Sequence, residues 1–485
     1  MTLKYVPALD THSQPIHSSD RGTTTSNEAF QSGWVDDLHK LMMASEEAEL
    51  KLSYLSPCGT EDGRKQSGSY YTPADVATFF WREFFSFHGL VDPSASKDYV
   101  KQTRFMEPAA GAGALIFALL HRLALTGLGP QEVAEIELRV VDINKRALTF
   151  IQEQLMALGS RWHVTFGKVS FICGDFRCVE VTPSSKPLAI FGNPPFVGNP
   201  VRSSRWKNLF ADFVEIALRH ADQRGALHFI LPISVAFSRD FRELRKMLVA
   251  SGQELILSHF DNIPDTLFKS GKPGHTNTNK ANSQRCSILT LRPSATHRVL
   301  STELHRWSKY DRASFLETVP TYHDVTNYQF DDQFPRPANR AVLEYLTESR
   351  THTRLGDLLQ PNGASELYVA AVARNFIGIR DTPGSGAHRL RFAEHDDFHH
   401  VLLLLVSDLF FAYWRTVGDG FHVTKANILD FPVAPRLMDT TSAHLRSAKK
   451  LWAKRNQFIK SKLNAGQPTH SYDFTKAAPR LLELI

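Results

Sequence analysis

Between residues 69 and 292 the chain alternates short apolar runs with segments of helical spacing. The strand-like runs are Phe105–Met106, Ile136–Val141, Val169–Cys173, Leu188–Phe191, Ala226–Leu231, Glu254–Phe260 and Arg285–Leu291. Helical spacing falls at Pro73–Phe85, Ala114–Leu120, Ile143–Leu158, Lys207–His220 and Arg239–Ala250. Such alternation predicts a parallel, doubly wound α/β sheet. Open sheets of this kind bind ligands beyond the carboxyl ends of their strands. The residues that stop the first four runs are therefore the ones to inspect.

The first run stops at Glu107 and enters Pro108-Ala109-Ala110-Gly111-Ala112-Gly113. Two glycines at the start of a helix let a ligand approach the backbone closely. The spacing is not GxGxxG, which argues against a dinucleotide. The second run stops at Asp142, where doubly wound folds hold a ribose diol; helix capping is the alternative use of that carboxylate. The third stops at Gly174-Asp175-Phe176, with the same alternative for Asp175.

The fourth run stops at Asn193-Pro194-Pro195-Phe196. The Asn193 side-chain oxygen and the Pro194 carbonyl can both accept hydrogen bonds from an amino group on a planar ring. The prolines fix φ and hold the acceptors in place. Phe196 offers a flat face for stacking. An ordinary turn is the alternative reading of Asn-Pro-Pro.

Taken with Ser69-Tyr70-Tyr71-Thr72-Pro73 ahead of the glycine turn, these motifs resemble the gamma class of DNA adenine-N6 methyltransferases, over roughly residues 64 to 292. The resemblance implies a Rossmann-like S-adenosylmethionine-dependent sheet followed by an α+β target-recognition region. It implies that Glu107, Pro108, Ala110, Gly111 and Gly113 meet the methionine moiety and its ammonium. Asp142 would then accept from the ribose and Ile143 lie against the adenine. Asp175 would accept from the adenine amine, with Phe176 on that ring. Tyr71, Thr72 and Pro73 would close the pocket. The target base would be flipped into a site made by Asn193, Pro194, Pro195 and Phe196. Phe268 is the expected second stacking ring, and Arg202, Arg205 and Lys207 are candidate phosphate contacts, a solvated helix start being the other reading. No metal is implied.

The implied partners are double-stranded DNA and a separately encoded restriction endonuclease. A net charge of +6 agrees with a polyanionic partner. The amino-terminal region is short for a nuclease domain, so modification without cleavage is expected. Two rival readings are a non-catalytic DNA-binding subunit of a defence complex and a methyltransferase for RNA or protein amide nitrogen.

Cys58, Cys173, Cys178 and Cys286 form no CxxC pair, which argues for a reducing compartment and against a zinc module. Cys173 and Cys286 are expected to be buried. With no signal peptide and no membrane span, the expected location is the bacterial or archaeal cytoplasm, at the nucleoid. The apolar run Val401–Trp414 is read as one buried helix. A basic amphipathic helix is expected from Arg446 to Lys462. The expected divisions are 1–66, a tail and helix; 67–296, the catalytic domain; and 297–485, a connector and recognition domain.

Overall fold

The computed structural model describes residues 24–54, 72–201, 203–268, 284–328, 332–384, 386–393, 395–438, 442–464, 467–478 and 480–484. Tyr71, Arg202, Cys58 and most of the polar insertion 271–284 lie outside them.

Helix α1 (Thr24–Tyr54) precedes α2 (Ala74–Phe87) and α3 (Pro93–Gln102). Then come β1 (Arg104–Glu107), α4 (Ala114–Leu125), α5 (Pro130–Ala134), β2 (Glu137–Asp142), α6 (Lys145–Trp162), β3 (Val169–Cys173) and β4 (Leu188–Gly192). The alternation continues through α7 (Leu209–Ala221), β5 (Ala226–Pro232), α8 (Arg242–Ala250), β6 (Glu254–Phe260) and β7 (Cys286–Arg292). Next are β8 (Val299–His305), α9 (Arg312–Glu317) and β9 (His323–Asp324). These strands form one sheet of order β3-β2-β1-β4-β5-β7-β6-β8-β9.

Strands β1 to β5 are parallel. The sheet is mixed rather than wholly parallel, because β7 runs antiparallel between β5 and β6. Central strands β5 and β6 are buried along their whole length; β5 is apolar apart from His228, whereas β6 also buries Glu254, Ser258 and His259. Cys286 is buried within β7, whereas Cys173, at the outer edge on β3, is exposed, contrary to expectation. The sheet also runs past residue 296, since β8 pairs in parallel with β6.

A second core begins at Val342. Its elements are α10 (Arg340–Glu348), β10 (Thr353–Arg354), β11 (Ser365–Ala370), β12 (Ile379–Arg380), β13 (Ala387–Phe392), α11 (His395–Val406) and α12 (Asp408–Val417). They continue with α13 (Lys425–Leu429), β14 (Pro432–Val433), α14 (Pro435–Met438), α15 (Ser442–Ala453), β15 (Ile459–Asn464) and β16 (Gln467–Tyr472). An antiparallel sheet, β13-β11-β12-β16-β15, packs against α11.

The expected single helix at Val401–Trp414 is two helices bent by 60°. Ser407 starts the second by accepting from the Phe410 amide at 3.1 Å. Among the described residues no single helix is long and apolar enough to cross a membrane. The basic helix ends at Ala453, so Lys460 and Lys462 stand on β15 instead.

The two cores are tied through Asp261, just beyond β6. Its carboxylate meets Arg285 at 3.0 Å, Arg306 at 2.6 Å and Arg415 of α12 at 2.8 Å.

Candidate active site

Parallel pairing aligns the carboxyl ends of β2, β1 and β4: Glu107 lies beside Val140, Met106 beside Ile190, and Asp142 beside Cys173. Glu107, Asp142, Asp175 and Asn193 therefore gather along one edge, as the sequence predicts. Gly111 has φ +52° and Gly113 φ +82°, a region costly for other residues. At Gly113 a Cβ would also sit 2.9 Å from Ile151. Gly113 opens α4, whose apolar residues up to Ala124 are buried.

Asp142 organises this turn. Its carboxylate accepts the Gly111 amide at 2.8 Å and the Asn144 amide at 2.7 Å. Burial raises its pKa while these backbone donors lower it. Next to it Ile143 is 77% exposed, an apolar side chain standing in solvent beside the turn. Glu107 is buried, and its Oε2 has no hydrogen-bond partner among the described residues. Burial, reinforced by Glu49 and Asp142, holds its pKa well above the carboxylate range.

Asp175 is engaged elsewhere. Arg177 donates to both of its oxygens, from Nε at 3.0 Å and from Nη2 at 2.6 Å, and holds its pKa low. Phe176 is 1% exposed and packs on Phe213, with ring centroids 5.1 Å apart. Phe176 offers no bare face to a ligand in this arrangement, and both Asp175 oxygens are engaged by Arg177 although the side chain is 35% exposed.

Asn193 is half-buried at the end of β4, and its Nδ2 donates to Thr72 Oγ1 at 3.2 Å. That bond turns the amide oxygen to the opposite side. Pro73 starts α2, so the Thr72-Pro73 segment and the Asn193 turn fix each other. Pro194 is buried and Pro195 half-buried.

Phe196 and Phe268 are brought together, although 72 residues and four elements separate them in the chain: their rings meet 6.4 Å apart at 74°. A base between two rings needs roughly 7 Å of parallel spacing, so one ring must turn to admit it. The segment before Phe268 is held by Arg312 of α9, which the sequence alone did not single out. Arg312 donates to Asp75 at 2.6 Å, to the Thr266 carbonyl at 2.6 Å and to the Leu267 carbonyl at 2.8 Å. It also reaches Asp265 at 3.3 Å. Of the candidate phosphate contacts, Arg205 lies over the Trp206 ring at 4.8 Å and near Glu243 at 3.9 Å. Lys207 lies 3.5 Å from Asp240.

Glu49 is the other member that pattern reading missed; Thr72 is expected in the pocket wall, but its bond to Asn193 is not foreseen from the sequence. Glu49 had one available signal: it continues the buried stripe Trp34, Leu38, Met42 and Ser45 of α1, where an apolar residue is the norm.

No protein-family model matches the chain, and no curated protein matches it. Among solved structures it is similar to the type IIL restriction-modification enzyme MmeI in complex with DNA. The identity is 13% and the TM-score 0.50, over 87% of this chain and 75% of that one. It is also similar to DrdV in a DNA complex, with 14% identity and TM-score 0.42 over 56% of this chain and 31% of that one. A third is the type ISP enzyme LlaGI with a DNA substrate mimic, at 16% identity and TM-score 0.40 over 63% of this chain and 34% of that one. The chain spans about a third of the length of the last two enzymes. The fold is a Rossmann-like methyltransferase fold, a mixed α/β sheet with a carboxyl-terminal α+β region.

Proposed function

We propose that this chain is a site-specific DNA methyltransferase of the restriction-modification type, acting on the N6 amine of an adenine flipped out of the duplex. The observation that carries this reading is the Asn193 turn. An amide anchored by Thr72, a carbonyl fixed between two prolines and an edge-to-face pair of phenylalanines stand at the edge that also carries the glycine turn. The second core, from Val342 onward, is the proposed reader of DNA sequence.

The residues fit S-adenosylmethionine on one point of chemistry. A buried carboxyl with an unpartnered oxygen, Glu107, favours a cationic group such as an α-ammonium. When bound, that cofactor supplies a methyl group on a sulfonium. Flipping the base costs a few kcal/mol. The adenine amine is a weak nucleophile because its lone pair is delocalised into the ring. Accepting its two N–H bonds at Asn193 Oδ1 and the Pro194 carbonyl localises that pair and aims it. The Phe196 face steadies the charge that develops on the base. The nitrogen then sheds its extra proton to water, so no strong base is required. Asp142, half-buried beside the turn, is the proposed ribose contact through lone pairs that its two backbone donors leave open.

Tritium transfer from labelled S-adenosylmethionine to duplex DNA, RNA and protein tests this reading. Label in DNA adenine supports it. Label only in RNA or protein, or none from a folded chain, refutes it.

A further inference from the structure

Glu49 lies on α1, ahead of every strand of the sheet, yet it reaches into the glycine turn. Its Oε1 accepts the Ala112 amide at 3.0 Å. A Cβ on Gly111 would lie 2.6 Å from that oxygen, so only glycine lets the carboxyl settle there. One helical turn earlier, Glu46 accepts the Ala74 amide at 3.0 Å. Helix α1 thus grips the glycine turn with one glutamate and the segment after Thr72-Pro73 with another.

The second oxygen of Glu49 is buried without a hydrogen-bond partner among the described residues, as is that of Glu107. Among the described residues, the charged groups bearing on these two acids are Glu46, Asp142 and each other, all acidic. Two buried carboxyls, each with an orphan oxygen and neither ion-paired among the described residues, make a place for a cation.

We infer that α1 is a wall of the cofactor pocket, and that Glu49 holds the ammonium of S-adenosylmethionine together with Glu107. This rests on the cofactor reading above. It makes the amino-terminal helix a binding element that the cofactor pins to the sheet. It also couples binding to protons. Burial pushes the Glu49 carboxyl up to about 8, so it is mostly neutral at pH 7. A bound cation favours the carboxylate, so binding releases a proton and affinity rises with pH towards that value.

Calorimetric titration of the full chain at pH 7, in two buffers of different ionisation enthalpy, tests this. The ligands are S-adenosylmethionine and 5′-methylthioadenosine, which lacks the ammonium. Glu49→Gln copies the neutral carboxyl and keeps an acceptor for Ala112, so its unfolding temperature without ligand should match wild type. Its affinity for S-adenosylmethionine should fall about tenfold or more, with about one proton fewer released. Its affinity for 5′-methylthioadenosine should not change. Equal loss for both ligands, or wild-type affinity and proton count, overturns the inference. A second measurement needs no variant: S-adenosylmethionine should slow amide exchange in wild-type α1, and no added protection there overturns the inference even when binding is tight. A wild-type chain that binds neither ligand refutes the cofactor reading itself.

Discussion

Arg312 offers a sharp test of how the target side of the site is held. Replacing it by Met keeps most of the stem and removes the guanidinium. The bidentate bond to Asp75 is worth little, about 0–1 kcal/mol, because that carboxylate is 38% exposed and water takes over. Asp265 keeps the Trp307 indole donor at 2.9 Å. The larger loss is at the carbonyls of Thr266 and Leu267, each giving up a charged donor at roughly 1.5–3 kcal/mol. The total, about 3–7 kcal/mol, falls mainly on the Asp261–Phe268 segment as local opening rather than on the whole fold. Amide exchange should therefore speed up at Leu267 and Phe268 but not in β4 or β5. Methyl transfer to DNA should fall with Phe268 misplaced, while affinity for S-adenosylmethionine stays near wild type. Unchanged exchange with unchanged transfer would refute the view that Arg312 positions this ring.

Asp142→Ala should weaken cofactor binding by about 1.5–3 kcal/mol per lost hydrogen bond and loosen the Gly111 turn; titration with the cofactor checks this, and an unchanged affinity in a folded variant removes the ribose role. Glu83 is fully buried, accepts from Ser258 and Tyr322, and is raised to about 7 by burial. Because its folded pKa lies above the unfolded one, its stabilising contribution is complete below about 4.5 and declines as pH rises to about 7. Glu83→Gln should flatten that decline in urea unfolding at pH 5 and pH 7, and an equally steep decline would contradict it. A chain ending at residue 335 keeps β1 to β9 and drops the second core. Shown to be folded, it should keep cofactor binding and lose site-specific methylation, and methylation of one defined sequence by that shortened chain would disprove the recognition role.

The gathering of Glu107, Asp142, Asp175 and Asn193 at one edge was legible because strand ends are local events. Each apolar run stops at a polar or turn residue, and parallel order does the rest. The antiparallel place of β7 was not legible, since its run reads the same in either direction. Phe176 and Phe196 look alike in sequence, yet Phe176 is enclosed by Phe213 and Phe196 meets Phe268. Glu49, Thr72 and Arg312 act through contacts 63, 121 and 237 positions away, which no periodicity reports. The bend at Ser407 was missed because the apolar run continues across it, although Ser407-Asp408 is itself a helix-start signal.

Sequencing with detection of modified bases tests the Asn193 chemistry most directly. DNA is taken from a methylation-free host expressing either the wild-type chain or Asn193→Ala. The account predicts N6-methyladenine at one defined sequence with wild type and none with Asn193→Ala, although the purified variant still binds S-adenosylmethionine. Marks at wild-type level from Asn193→Ala, or unmodified adenine throughout with a folded wild-type chain, would contradict it.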